Sequence, residues 1–160
     1  MPFLQGVDLV TACDVRVCSD EAKFCVKEAD VGLAADVGTL QRLPSLVGHG
    51  VATEWCLTAR AVGSGEAQAR GLVAQRYGDA TQMLVHTRRL CAALAAKSPL
   101  ALAGTKRVLL RVRDGGSVAQ NLDYVATWNS AQLLTEDIPE SVAAMSERRK
   151  PKYKDLISKL

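Results

Sequence analysis

The order of its candidate elements constrains this chain most: a few short strands come first, and about six helices follow. Asp14 to Cys18 alternates apolar and polar residues, which predicts a strand. Ser19-Asp20-Glu21 makes a turn, and Lys23 to Lys27 is a second strand. Gly71 to Ala74 is a third. A short helix entered through Gly6 precedes them, over residues 6–13. Between 28 and 38 two glycines and three acids oppose regular structure and predict a loop. From residue 39 the pattern turns helical: 39–47, bent or broken at Pro44, then 51–57 and 65–70. Asp79 is a good N-cap for 80–96, where Met83, Leu84, Leu90, Cys91 and Leu94 share a face. Pro99 opens a helix that runs to Arg113, and Asp114-Gly115-Gly116-Ser117 breaks it. Val118 to about Leu134 is the next helix, and Ile138, Val142 and Met145 mark the last. Three short strands cannot make a self-sufficient sheet with helical cover. The expected fold class is therefore α/β: the end of a larger α/β layer, with an appended helical subdomain.

Composition closes off several classes. The chain has 160 residues, 48% of them apolar and 23% charged, so there is enough apolar surface for a core. No uncharged run approaches the roughly 18 to 20 residues of a spanning helix. A net charge of +3 and only 4% aromatics argue against nucleic acid as a partner. The five cysteines at 13, 18, 25, 56 and 91 form no Cys-x-x-Cys pair, and His49 and His86 lie far from them. No metal site is expected, and the thiols suit a reducing compartment. Gly48-His49-Gly50 and Gly63-Ser64-Gly65 lack the continuation of a phosphate loop. Trp55 and Trp128 sit on helical patterns as packing residues.

Charge is unevenly spread. Residues 1–60 hold 8 acids and 5 bases, and the remainder holds 9 acids and 15 bases. Four acids deserve weighing: Asp8, Glu28, Asp30 and Asp36. Asp8 lies among Val7, Leu9 and Val10, and Asp36 among Leu33, Ala34, Ala35 and Val37. A carboxylate in apolar surroundings is costly unless paired or protonated, and proton exchange near neutral pH becomes possible there. The alternative is an N-cap for Asp8 and plain loop solvation for Asp30 and Asp36.

The whole string decides between them. Gly6 to Arg16, then Phe24 to Pro44 with its Glu28-Ala29-Asp30-Val31-Gly32-Leu33-Ala34-Ala35-Asp36-Val37-Gly38 core, resembles the enoyl-CoA hydratase/isomerase (crotonase) family. The likeness continues through Leu57-Thr58, Ala69 to Val73, Lys97-Ser98-Pro99 and Asn121 to Asn129. Within the family it is most similar to the Δ3,5-Δ2,4-dienoyl-CoA isomerases, because hydratases usually carry another residue where Asp36 stands. The resemblance implies the C-terminal part of a crotonase-type ββα spiral. It implies a spiral core over 1–78, a helical oligomerisation subdomain over 79–147 and a basic tail over 148–160.

The same resemblance implies the chemistry. Asp8, Glu28 and Asp36 would be the active-site acids of an isomerase that shifts 3,5-dienoyl-CoA to 2,4-dienoyl-CoA in fatty acid β-oxidation. Glu28 and Asp36 would be the proton-transfer pair, and Asp8 would tune and orient them. An oxyanion-hole donor would come from the turn at Gln5 and Gly6. No cofactor is implied, because acyl-CoA is the substrate. A homo-oligomer, trimer or hexamer, is implied as well. Two other readings stand beside this one: an enoyl-CoA hydratase, and a non-catalytic fragment that assembles with full-length subunits.

The sequence departs from the family at its start. The expected glycine run is reduced to Gly6 after Leu4 and Gln5, and the long stretch that normally comes before is absent. The expectation is a C-terminal half, from a truncated product, a splice form or an incomplete gene model. At the other end, Ser158-Lys159-Leu160 matches a peroxisomal address read by an import receptor. A mitochondrial form is the alternative if a presequence is missing. The cluster Arg148-Arg149-Lys150-Pro151-Lys152 is expected to be a solvated tail rather than a nucleic-acid or CoA-phosphate contact.

Overall fold

The computed structural model describes residues 6–155, and the chain divides into two units, Met1–Arg88 and Arg89–Leu160. In the first unit a short helix α1 (Gly6–Ala12) leads to strands β1 (Val17–Ser19) and β2 (Lys23–Phe24). A 3-10 turn (Glu28–Val31) and a loop follow, then helices α2 (Thr39–Val47) and α3 (His49–Thr58). Strand β3 (Val62–Gly63), helix α4 (Ser64–Ala69) and strand β4 (Gln75–Tyr77) complete it, and helix α5 (Ala80–Ala95) crosses into the second unit.

The strands pair in twos. β1 runs parallel to β4, with Val17 opposite Gln75 and Ser19 opposite Tyr77. β2 runs antiparallel to β3, with Phe24 opposite Val62. The predicted strand at 71–74 is therefore not formed, and the later strands lie at 62–63 and 75–77. Gly71 takes a left-handed φ of 85°, and Leu72 N–H bonds back to the Ala67 carbonyl, so this stretch is a helix-ending turn. Leu72 and Val73 are apolar because they enter the core, not because they pair in a sheet.

That core gathers Val7, Cys18, Val26, Leu43, Val47, Trp55, Val62, Ala67, Leu72 and Val73. It is drawn from every helix of the unit before α5, which fixes α1 against α2 and α3. Pro44 lies inside α2, which continues to Val47 beyond it. Trp55 is buried, and its indole N–H donates to Glu66 at 3.3 Å. Arg60 bridges Glu54 and Glu66, and its guanidinium holds the Glu66 carboxyl down to about 2. Asp79 caps α5 as predicted, accepting from the Gln82 N–H at 2.7 Å. The predicted apolar face of α5 is not covered, since no residue of the helix is buried.

The second unit holds helices α6 (Pro99–Arg113), α7 (Val118–Gln132) and α8 (Asp137–Ser146). Ser98 caps α6 by accepting from the Ala101 N–H, and its hydroxyl donates to buried Asp137 at 2.5 Å. Ser117 and Gln120 form a capping box at the start of α7. Arg107 lies over Trp128 and Arg111 over Tyr124, 5.4 and 4.4 Å from the ring centroids.

The basic residues Arg148, Arg149, Lys150 and Lys152 are exposed, as expected of a solvated tail, and ion pairs also clasp the segment to α8. Arg149 forks onto Glu140 with both terminal nitrogens, at 2.5 and 2.9 Å, and Lys152 N–H donates to Glu140 at 2.7 Å. Lys154 pairs with Glu136, and the Tyr153 hydroxyl lies 2.8 Å from that of Ser141. The segment is held along α8 because Glu136 and Glu140 sit one turn apart and match its charges. Among the described residues no helix is long and apolar enough to cross a membrane.

Candidate active site

Asp8 lies in the first turn of α1, apolar on both sides in sequence, and is only 2% exposed. It does not cap its own helix. One carboxylate oxygen, Oδ1, accepts from the Thr39 backbone N–H at 2.9 Å and from the Thr39 hydroxyl at 2.6 Å. Thr39 is the first residue of α2, so an acid from α1 caps a different helix, 31 residues onward. A carboxylate is favoured there by the unpaired N–H groups and the positive end of the helix dipole. The second oxygen, Oδ2, is buried without a hydrogen-bond partner among the described residues.

Glu28 opens the 3-10 turn. It is 8% exposed, and its Oε2 is likewise buried without a partner among the described residues. The turn is closed by the Leu33 N–H on the Glu28 carbonyl and by Gly32, which takes a φ of 79°. Asp30, the next acid, points outward and pairs with Lys27 at 2.6 Å. Asp30 is thus a surface residue, as the loop-solvation alternative expects.

Cys56, on α3, reports that Asp8 and Glu28 share a neighbourhood. Burial pushes its thiol up, and the charges of Glu28 and Asp8 push it further in the same direction. Three elements thus bring two buried acids around one half-buried thiol. Each acid leaves an acceptor oxygen unused, which suits a bound hydroxyl, water or acidic C–H.

Asp36 is placed differently. It is exposed on the loop before α2, next to the buried Ala35 that anchors this loop in the core. The sequence expectation of an apolar enclosure is not met here. Leu33 and Val37 are 63% and 50% exposed and face away from the core. Gly6 is half-buried at the start of α1, and Gln5 lies outside the described residues. The other described cysteines do not join the site: Cys25 donates to the Ala59 carbonyl, and Cys13 to that of Leu9. No group of His, Cys, Asp and Glu suited to a metal ion occurs among the described residues.

Sequence reasoning missed Thr39, Arg42 and Cys56. Thr39 and Arg42 open the helix that follows the acidic loop, where capping partners of Asp8 could have been sought. Cys56 carried no signal.

The sequence matches the enoyl-CoA hydratase/isomerase family over residues 3–156. It is 50% identical over 151 residues to the peroxisomal Δ3,5-Δ2,4-dienoyl-CoA isomerase of Arabidopsis thaliana, covering 94% of this chain and 54% of the relative. It is 49% identical to the mitochondrial Δ3,5-Δ2,4-dienoyl-CoA isomerase of Homo sapiens, over 92% of this chain and 45% of that protein. The chain thus spans about half the length of the curated relatives it matches. Among solved structures, an enoyl-CoA hydratase of Mycobacterium tuberculosis superposes with a TM-score of 0.83 at 29% identity, over 91% of this chain and 57% of that one. An enoyl-CoA hydratase of Bacillus anthracis gives 0.86 at 26% identity, over 93% and 57%. The short strand pairs followed by packed helices are the corresponding part of this fold, and the chain belongs to the enoyl-CoA hydratase/isomerase family.

Proposed function

We propose that this chain carries the proton-transfer half of a Δ3,5-Δ2,4-dienoyl-CoA isomerase. The observation that carries the reading is the pair of buried acids, Asp8 and Glu28, each with one unpartnered oxygen, beside the loop that bears Asp36. The similarity to named dienoyl-CoA isomerases supports the substrate class.

The reaction requires little beyond well-placed carboxylates. A base removes a proton from C2, next to the thioester carbonyl. The electrons spread from C2 to C6 and onto the thioester oxygen as a trienolate. An acid then returns a proton at C6, so the double bonds move from C3 and C5 to C2 and C4. Glu28 and Asp36 serve the two ends, since the seven residues between them separate a buried from an exposed position. Asp8 orients from the start of α2. Backbone N–H groups at Gln5 and Gly6 would meet the thioester oxygen, where negative charge develops. No cofactor takes part in this scheme. The terminal Ser158-Lys159-Leu160, outside the described residues, matches a peroxisomal address, as does the name of the Arabidopsis relative. The mitochondrial relatives keep that compartment as the alternative.

The test uses the longest expressed product that contains this chain. It should convert 3,5-dienoyl-CoA to 2,4-dienoyl-CoA, followed by the absorbance of the product conjugated to its thioester. Asp36→Asn should abolish turnover while leaving circular dichroism unchanged. Full activity in that variant would overturn the assignment.

A second reading is an assembly role for the helical unit, with homo-oligomer contacts through α7 and α8. It is favoured by the exposed Val118, Leu122, Leu134 and Met145, at 78, 63, 89 and 78%.

A further inference from the structure

We propose that Arg42 is the positioning residue that ties the loop bearing Asp36 to the helix bearing Asp8. The inference rests on the reading of Asp36 as a proton-transfer acid and of Asp8 as the acid that orients the pair, and it assigns a role to a residue that touches neither substrate end.

The geometry is a three-point tether. The Arg42 Nε donates to the Thr11 hydroxyl at 3.2 Å, and Nη2 donates to the Asp8 carbonyl at 2.8 Å. The same Nη2 donates to the Val37 carbonyl at 2.9 Å. The first two acceptors belong to α1, and the third is the residue directly after Asp36. One planar guanidinium therefore fixes the loop against the helix at the position where the acid leaves the core. Hydrogen bonds from a charged donor are about twice as strong as neutral ones, and the fork sets direction as well as distance.

Gly38 leaves room for this. Its φ is +104°, and a Cβ there would overlap the Arg42 guanidinium. The backbone at 38 thus turns in a conformation that side chains resist and leaves the space that the arginine fills. Thr39, next in line, bonds through its N–H and hydroxyl to the Asp8 side chain. Residues 37–42 and 8–11 form one network, with Asp36 at its edge and the free Asp8 Oδ2 inside it. Such a tether matters for catalysis because a shift of about 1 Å in a reacting group can cost up to about 100-fold in rate.

Lysine cannot replace the fork. Its ammonium lacks the planar fork and the separate Nε donor, so it does not hold the Thr11 hydroxyl and the two carbonyls together in this geometry. Arg42→Lys and Arg42→Ala should therefore both lose the tether, while lysine keeps charge and bulk.

The experiment compares both variants with wild type and Asp36→Asn in the longest expressed product that contains this chain. First, hydrogen exchange at the Thr39 amide should quicken by about 10-fold or more in Arg42→Ala. The Ala52 amide, bonded to the Gly48 carbonyl on α3, should not change. Second, kcat on 3,5-dienoyl-CoA should fall about 10- to 100-fold with KM within about twofold, and added guanidinium ion should restore part of kcat. An unchanged Thr39 exchange rate overturns the tether whatever the activity. An unchanged kcat in Arg42→Ala, with Asp36→Asn inactive, overturns the positioning role. If wild type fails to turn over the dienoyl substrate, the isomerase reading and the positioning role fall together, and the exchange measurement still decides the tether.

Discussion

Thr39 is fully buried, and its hydroxyl and N–H both point at Asp8. Valine would match its shape and remove only the hydroxyl. Thr39→Val leaves a buried carboxylate one donor short, which costs about 1–3 kcal/mol. Thr39→Ser keeps the donor and should cost less. Urea denaturation at neutral pH, comparing the two variants, is the measurement, and equal stability in both would remove the hydroxyl from the account. The same residues show how far the site was legible. Asp8 and Asp36 stand out as acids inside apolar strings, whereas Glu28 is singled out through the family resemblance alone. Their environments were not visible. Ala34, Ala35 and Val37 around Asp36 are all apolar, yet only Ala35 turns inward, and a loop has no periodicity from which to infer that. Asp8 did prove to be a cap, but of a helix distant in sequence, which no local rule could indicate.

At the scale of elements, helices were easier to place than strands. Asp79, Ser98-Pro99 and Ser117 carry capping signals whose physics is local, and the structure uses all three. Strands β3 and β4 carried little signal. Val62–Gly63 is two residues long, and Gln75–Tyr77 is polar because its pair leaves it exposed. The C-terminal segment shows a second kind of hidden order, where charge pairing replaces apolar burial. Glu140 holds Arg149 and the Lys152 N–H, and the guanidinium above all pulls its carboxyl down to about 2. The contribution is therefore complete above the usual carboxylate range and is lost only as pH falls through about 2. The Lys152 amide resonance should stay fixed from pH 7 to 4 and move below that. Glu140→Gln should release it at neutral pH, and a Lys152 resonance identical in the variant would refute the clasp.

For the molecule as a whole, two separate strand pairs leave four outer edges among the described strands. Open edges invite pairing with other strands, so they are the natural place for further sheet to attach. The same incompleteness shows in the helices, where apolar residues of α5, α7 and α8 stay exposed. Patches of that kind mark contacts with other protein. On the assembly reading proposed above, the product should run larger than its monomer mass in light scattering. Leu122→Glu combined with Met145→Glu should shift it toward monomer, and a monomeric wild type would count against the assembly reading. The α/β class was legible from element order, but the division into strands first and helices later was not met, since β3 and β4 follow α2 and α3. Sheet pairing was not, because it joins residues 17 and 75 across most of a unit.

One last feature bears on how such a chain can vary. At position 38 an absent side chain and at position 42 a large one occupy complementary halves of the same space. The dependence runs one way: a side chain at 38 would expel the guanidinium, but glycine stays favoured at 38 by its φ of +104° whatever stands at 42. A change at 42 therefore touches the tether alone, while a side chain at 38 disturbs the turn and the arginine together.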